Sequence, residues 1–266
     1  MSTAAPAMAA VPYVSLDRVG KTYLSSRGPV AALENISLDI RPREFVSVVG
    51  PSGCGKSTLL KLVGGLETVS SGRVVVDGKV LDGPPDRLGM VFQRDVLLDW
   101  RTILDNVLLS IEFTRKPRAE ERERAMALIN RFGLGGFEHR FPWELSGGMR
   151  QRASICRALL ADPELLLMDE PFGALDAMTR DDLNVELAHI WQDTRKTLLF
   201  ITHSIVEAVF LSDRVVMMSK APGVIVDTIV IDLPRPRRLA VRDSAEFGAY
   251  VHRIRHHFAE LGIVKE

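Results

Sequence analysis

Apolar and polar residues alternate over residues 13–19 and again over 36–40, the period-two pattern of half-buried antiparallel strands. Residues 45–49 then form a short apolar run that predicts a buried strand. Leu59, Leu60, Leu62 and Val63 predict a helix, which Gly64-Gly65 ends. Further strands are predicted at 74–76 and 88–92, separated by the turn-rich Asp82-Gly83-Pro84-Pro85. From about residue 94 to about residue 160 the character is mostly helical. Ala125, Leu128, Ile129 and Phe132 recur at helical spacing there, and Gly133 follows as a stop. Strand character returns at 165–168, 198–202, 215–219 and 224–231, and Leu183, Leu187, Ile190 and Trp191 mark an amphipathic helix. Pro234-Arg235-Pro236-Arg237-Arg238 breaks regular structure, and a terminal helix is predicted from about 244 to about 261. Strands alternating with helices predict an α/β fold with a parallel core sheet covered on both faces. An antiparallel β subdomain precedes that sheet and a helical subdomain is inserted into it.

Composition narrows the picture. A chain of 266 residues with 46% hydrophobic content has room for one sizeable α/β domain with an insertion. The expected layout is a disordered tail over 1–12, a main domain over 13–240 and a helical C-terminal extension over 241–266. The formal net charge of +0 provides no global field to recruit nucleic acid, and no apolar run reaches the 18 residues of a bilayer span. The Ala-rich start lacks the basic and apolar regions of a signal peptide. Cys54 and Cys156 are the only cysteines, and Cys54 lies where a disulfide would be awkward, so a reducing cytosolic compartment is expected. The tail around Arg235–Arg238 is basic; a solvated arm docked on the domain and a contact with anionic lipid or a regulatory surface both remain open. His252, His256 and His257 share one stretch of helix, but no cysteine or acidic ligand completes a metal site.

Three motifs carry chemistry. Gly50-Pro51-Ser52-Gly53-Cys54-Gly55-Lys56-Ser57-Thr58 fits G-x-x-x-x-G-K-[ST] between an apolar strand and a helix. Its glycines let backbone N–H groups wrap a phosphate. Lys56 is expected to neutralise the β- and γ-phosphates of ATP, and Ser57 to ligate Mg²⁺ through its hydroxyl. Leu165-Leu166-Leu167-Met168-Asp169-Glu170 is an apolar strand ending in two carboxylates. Asp169 is expected to hold Mg²⁺, mostly through its waters, and Glu170 to polarise the attacking water. Between these motifs, Leu145-Ser146-Gly147-Gly148-Met149-Arg150-Gln151-Arg152 opens a helical run. Ser146, Gly147 and Gly148 at a helix N-terminus make an anion site from free N–H groups and the helix dipole. Lys56 already serves one nucleotide, so a second anion site suggests that it serves another.

In this order and spacing the motifs resemble ATP-binding-cassette (ABC) proteins, over about residues 13–258. The resemblance implies a homodimer or paired cassette in which Ser146 caps the γ-phosphate held by the partner's phosphate loop. It also implies that Gln93 contacts Mg²⁺ or the attacking water, that His203 senses the γ-phosphate and that Tyr23 stacks on adenine. Ala174-Leu175-Asp176 resembles the loop that crosses the dimer interface. Residues 91–107, 168–179 and 231–237 are similar to the nitrate/sulfonate/taurine-type importer ATPases. Asp99 departs from the proline expected before Trp100, and Trp143 from the histidine expected two residues before Leu145. Such importers combine two ATPases, two integral membrane permeases and an extracytoplasmic solute-binding protein. The resemblance therefore implies a peripheral subunit on the cytoplasmic face of the membrane, with Leu97, Leu98 and Trp100 as candidate contacts to a permease helix, core packing being the alternative for each. Two rival readings are a non-transport ABC machine of DNA repair, chromosome structure or translation, and an ATP-sensing regulatory subunit. Long coiled coils, zinc modules or a second cassette would mark the first, and none is present. Intact Glu170 and His203 argue against the second.

Overall fold

The computed structural model describes residues 11–26, 28–173 and 175–263. Most of the predicted tail, residues 1–10, and Ala174 of the interface loop lie outside the described residues.

Among the described residues ten strands form two sheets. The antiparallel sheet has the order β2-β1-β4-β5, from β1 (Val14–Ser25), β2 (Gly28–Ile40), β4 (Ser71–Val76) and β5 (Lys79–Val80). β1 and β2 run further than the alternating stretches predict. Arg18 takes a positive φ of 48°, the register shifts between Leu16 and Val19 and again beyond it, and the period-two signal is lost while pairing continues to Ser25.

The core sheet has the order β10-β9-β3-β8-β7-β6, from β3 (Phe45–Val49), β6 (Leu88–Val91), β7 (Leu165–Asp169), β8 (Thr197–Ile201), β9 (Arg214–Met218) and β10 (Ile225–Val230). Neighbours from β9 to β6 pair in parallel, and β10 closes the edge antiparallel to β9. Every residue of β3, β7 and β8 is buried, which is why these strands read as largely apolar runs, interrupted in β3 by Ser47 and bounded by Asp169 in β7 and Thr197 in β8. One face, with Val46, Val48, Leu165, Leu167, Leu199 and Ile201, packs against α1 (Lys56–Val63) and the antiparallel sheet. The other, with Phe45, Leu166, Met168, Leu198 and Phe200, meets the remaining helices.

Those helices are α2 (Ile103–Glu112), α3 (Ala119–Arg131), α4 (Gly147–Leu160), α5 (Ala177–Thr194), α6 (Ile205–Leu211) and α7 (Ala245–Glu260). α7 inserts Phe247, Ile254 and Phe258 into the same core as Val209 and Phe210 of α6. The Pro-Arg segment before it docks on the domain with Pro234, Pro236 and Arg238 exposed, but Arg235 and Arg237 turn inward. Arg237 is buried among backbone carbonyls, and Arg235 lies over the Trp191 ring at 4.2 Å while pairing with Asp213 at 2.9 Å. Arginine count alone could not distinguish these internal donors from surface charge.

Candidate functional site

The strand β3 runs into the phosphate-type loop, which turns on Gly53 (φ 75°) and Gly55 (φ 99°). A Cβ at Gly55 would stand 2.7 Å from Ala32 O and Leu33 Cδ2, so both the turn and the close packing on β2 require glycine there. Lys56 begins α1 and is buried. Its Nζ donates to Gly50 O and Pro51 O, each at 3.0 Å, and lies 4.0 Å from Glu170 Oε1. The loop is thus folded round a cation held mainly by neutral carbonyls, at the positive end of a helix, which suits an incoming anion. Ser52 and Gly53 are exposed on its rim, Gly50, Pro51, Gly55 and Thr58 are half-buried, and Cys54 is buried. Burial pushes the Cys54 thiol up, against the pull of Lys56, which leaves it a poor nucleophile.

The neighbouring strands bring up the remaining groups. Asp169 ends β7 and accepts a hydrogen bond from Ser57 Oγ at 3.1 Å. Glu170 follows with φ 45°, a left-handed conformation that a non-glycine residue holds only under constraint. Its N–H is tied to Ile201 O at 2.9 Å, and its carbonyl accepts from Gly173 N at 3.1 Å. The kink sets Glu170 Oε2 3.4 Å from Gln93 Nε2, just beyond β6, and 3.4 Å from His203 Nδ1, just beyond β8. His203 is exposed, and Ser204 behind it caps α6 through Glu207 N–H at 3.3 Å.

Ser146, Gly147 and Gly148 sit at the start of α4. Ser146 accepts the Met149 N–H at 3.3 Å and, among the described residues, shares no hydrogen bond with the Lys56–Glu170 cluster. A Cβ at Gly148 would meet Leu175 Cδ2 at 3.2 Å, so the glycine makes room for the loop after β7. Tyr23 lies on β1, half-buried, with the Lys21 ammonium 4.9 Å from its ring centre. The fold therefore brings Lys56, Ser57, Asp169, Glu170, Gln93 and His203 together, and among the described residues leaves Ser146 and Tyr23 outside that cluster.

The family model described as ABC transporter matches residues 33–173. The chain belongs to the ABC transporter family. The nitrate import ATP-binding protein of Synechococcus elongatus is 44% identical over 237 residues, covering 87% of this chain and 86% of that protein. The taurine import ATP-binding protein of Yersinia pestis is 47% identical over 201 residues, covering 76% and 79%. The dimeric post-hydrolysis structure of an ATP-binding cassette bound to ADP and phosphate superposes with a TM-score of 0.75 at 32% identity, covering 83% of this chain and all of that one.

The donor set of this cassette fits Mg²⁺ with a nucleotide: a hydroxyl and a buried carboxylate, both hard oxygens, lie beside a phosphate-type loop. Burial is the main cause that pushes the Asp169 carboxyl above its ordinary value, reinforced by Glu170 and opposed by Ser57 and Lys56. The folded protein thus holds this proton more tightly than the unfolded chain. Its contribution to stability is present below the unfolded pKa of about 3.9 and is lost as pH rises through the raised folded value. At neutral pH the ionised group costs stability until a cation joins it. Asp169→Asn is therefore expected to raise the Tm of the ligand-free cassette at pH 7. The same change is expected to remove the further rise produced by Mg²⁺ with ATP. Differential scanning calorimetry with and without both ligands checks this, and a lowered ligand-free Tm would contradict it.

Two further buried residues support the cassette's site: Glu207, in the Ser204-x-x-Glu207 helix start that the sequence shows after His203, and Asn106, which no motif marks. Buried Glu207 accepts from Thr202 Oγ1 at 2.6 Å and lies 3.5 Å from Arg180 Nε, bracing the backbone on both sides of His203. Asn106 is buried in α2, and its Nδ2 donates to Leu98 O, Arg101 O and Thr102 O at 3.0–3.1 Å. Its only sequence signal is a polar residue on an otherwise apolar helix face. Leu97 and Leu98 are half-buried, whereas Trp100 is 73% exposed. Trp143 is 63% exposed and stacks on Phe141 at 4.6 Å.

Proposed function

We propose that this chain is the ATP-hydrolysing subunit of an importer for a small anion or organic solute. The observation that carries this reading is the convergence of Lys56, Asp169, Glu170, Gln93 and His203 in one cluster, from which Ser146 is absent. A cluster with phosphate loop, acid and base, but without its glycine-flanked serine, is half of a composite site. A second cassette supplies the rest, head to tail.

In this mechanism Lys56 and the backbone N–H groups of the loop at 50 and 52–58 bind the phosphates, Pro51 having no N–H to offer, and Tyr23 stacks on the adenine. Ser57 and Asp169 would hold Mg²⁺, and Gln93 would contact the ion or the attacking water; when bound, the ion would supply neutralisation of the phosphate charge. Glu170 orients the attacking water and takes its proton, and His203 contacts the γ-phosphate. Ser146, Gly147 and Gly148 of the other cassette donate to the same phosphate, where charge gathers in the transition state. Binding closes the pair and hydrolysis releases it.

No helix among the described residues is long and apolar enough to cross a membrane. The cassette in this reading is peripheral, on the cytoplasmic face, and drives integral permease subunits that receive solute from an extracytoplasmic binding protein. The exposed Trp100, with Leu97 and Leu98, suits the permease contact. The relatives named for nitrate and taurine import support a small anion or organic acid as the solute.

The test is co-expression with a candidate integral membrane permease. ATP-dependent uptake into membrane vesicles that hold both proteins is expected, and the permease should co-purify with the cassette. A cassette that leaves the membrane fraction empty and hydrolyses no ATP would end the proposal.

A further inference from the structure

The segment after Gln93 is held to α4 by hydrogen bonds from three side chains. Gln151 Nε2 donates to Phe92 O at 3.3 Å, and Arg150 Nε donates to Asp95 Oδ2 at 2.9 Å. Arg157 Nη2 donates to Asp95 O at 2.9 Å and its Nη1 to Val96 O at 2.7 Å. On the other side Asn106 accepts the Leu98 N–H at 2.7 Å. Between these anchors Val96 has φ 48°. A β-branched residue is an outlier in the left-handed region and stays there only where its surroundings impose it. The two carbonyls that Arg157 grips are those on either side of the Val96 nitrogen and Cα, the bonds that define this conformation. A guanidinium fork can span two such acceptors at once, which an ammonium cannot do with the same geometry.

α4 is also the helix capped by Ser146. Arg150 and Arg157 stand seven residues apart, two turns along one face, and that face binds the loop. The backbone just beyond Gln93 and the helix that presents Ser146 are consequently one hydrogen-bonded body. We propose that Arg157 is a positioning residue: by holding Asp95 and Val96 in place, it makes the Gln93 segment and the Ser146 helix move as a unit. Phosphate contact at Gln93 in one site then sets where Ser146 is presented to the other site. This rests on the two-cassette reading above, and the experiment separates the two.

ATP-driven dimerisation is measured by light scattering on a size-exclusion column, in four chains that all carry Glu170→Gln: no further change, Arg157→Met, Val96→Gly, and both together. Methionine keeps the bulk of the side chain and removes its donors. Glycine adopts φ 48° without a strap. Arg157→Met is expected to raise the protein concentration needed for half-dimerisation at least tenfold. Monomer affinity for a fluorescent ATP analogue should stay within twofold, since Lys56 and Asp169 are untouched. Adding Val96→Gly is expected to recover most of the loss, and Val96→Gly alone to change dimerisation less than threefold.

Unchanged dimerisation in Arg157→Met overturns the proposal. So does a loss that Val96→Gly leaves unrepaired, or one accompanied by equal loss of analogue binding, because either indicates a merely structural role. Amide hydrogen exchange supplies an arm that needs no dimer. On adding ATP, protection at 93–98 and 146–150 is expected to rise together in the parent chain and separately in Arg157→Met; separate behaviour in the parent overturns the proposal. A parent chain that stays monomeric in ATP refutes the composite site, while the exchange result still decides the role of Arg157.

Discussion

With Glu170→Gln, ATP binds but turnover falls about 10²–10⁴-fold, the range expected when a positioned general base is lost. The amide has the shape of the carboxylate and can still accept hydrogen bonds on the side where Gln93 and His203 stand, each 3.4 Å from Oε2. What disappears is basicity and one negative charge 4.0 Å from Lys56 Nζ. Removing that charge leaves the ammonium more attractive to a phosphate, so ATP affinity is expected to hold or improve. The outcome is a closed, ATP-loaded pair that does not reset. Phosphate release in a single turnover, alongside the elution volume of the ATP-bound protein, measures both halves. A normal steady-state rate would remove Glu170 from the mechanism.

The second large effect concerns stability. Arg237 is 2% exposed, and its guanidinium donates to Val209 O, Phe210 O and Ser212 O from Nη1, to Ile231 O and Leu233 O from Nη2, and to Leu233 O from Nε. Among the described residues no carboxylate pairs with it directly. Burial, with some repulsion from Arg235, pulls its pKa down to about 10, so the group remains charged at neutral pH. The carbonyls at the end of α6 carry the negative end of that helix and take the place of a counter-ion. Arg237→Met fills the same space but strips donors from five carbonyls. Each buried acceptor left unpaired costs roughly 1–3 kcal/mol, less where water enters, and the expected total is on the order of 3–5 kcal/mol. Arg237→Lys, with fewer donors and no planar fork, should recover only part of this. Urea denaturation of the ligand-free chain checks the figure. A loss below about 1 kcal/mol would mean that these carbonyls find other partners.

Both predictions bear on the same element. α6 begins directly after His203, and Arg237 holds the other end of that helix. The strap at 231–237, which the composition presents as a basic surface, is therefore part of what keeps the histidine beside Glu170.

Local chemistry was legible from the chain alone. The phosphate loop needs glycines where φ is positive, a lysine and a hydroxyl at fixed offsets, and these are short-range demands that residue order states directly. β3, β7 and β8 were legible because burial on both faces selects predominantly apolar runs. Ser146 as a helix cap was legible because its side chain serves an N–H only three residues on. Tertiary structure alone decided which distant residues meet. The order β8-β7-β6 sets the ends of three strands side by side, and so joins Gln93, Glu170 and His203, although 110 positions separate the first from the last. It also decided the environment of each charge. Arg157 and Arg237 are spent on backbone carbonyls, and no count of basic residues distinguishes an internal donor from a solvated one. The cause is physical: covalent order constrains neighbours within a turn or a strand, whereas burial and charge pairing depend on which surfaces the packed sheet brings together.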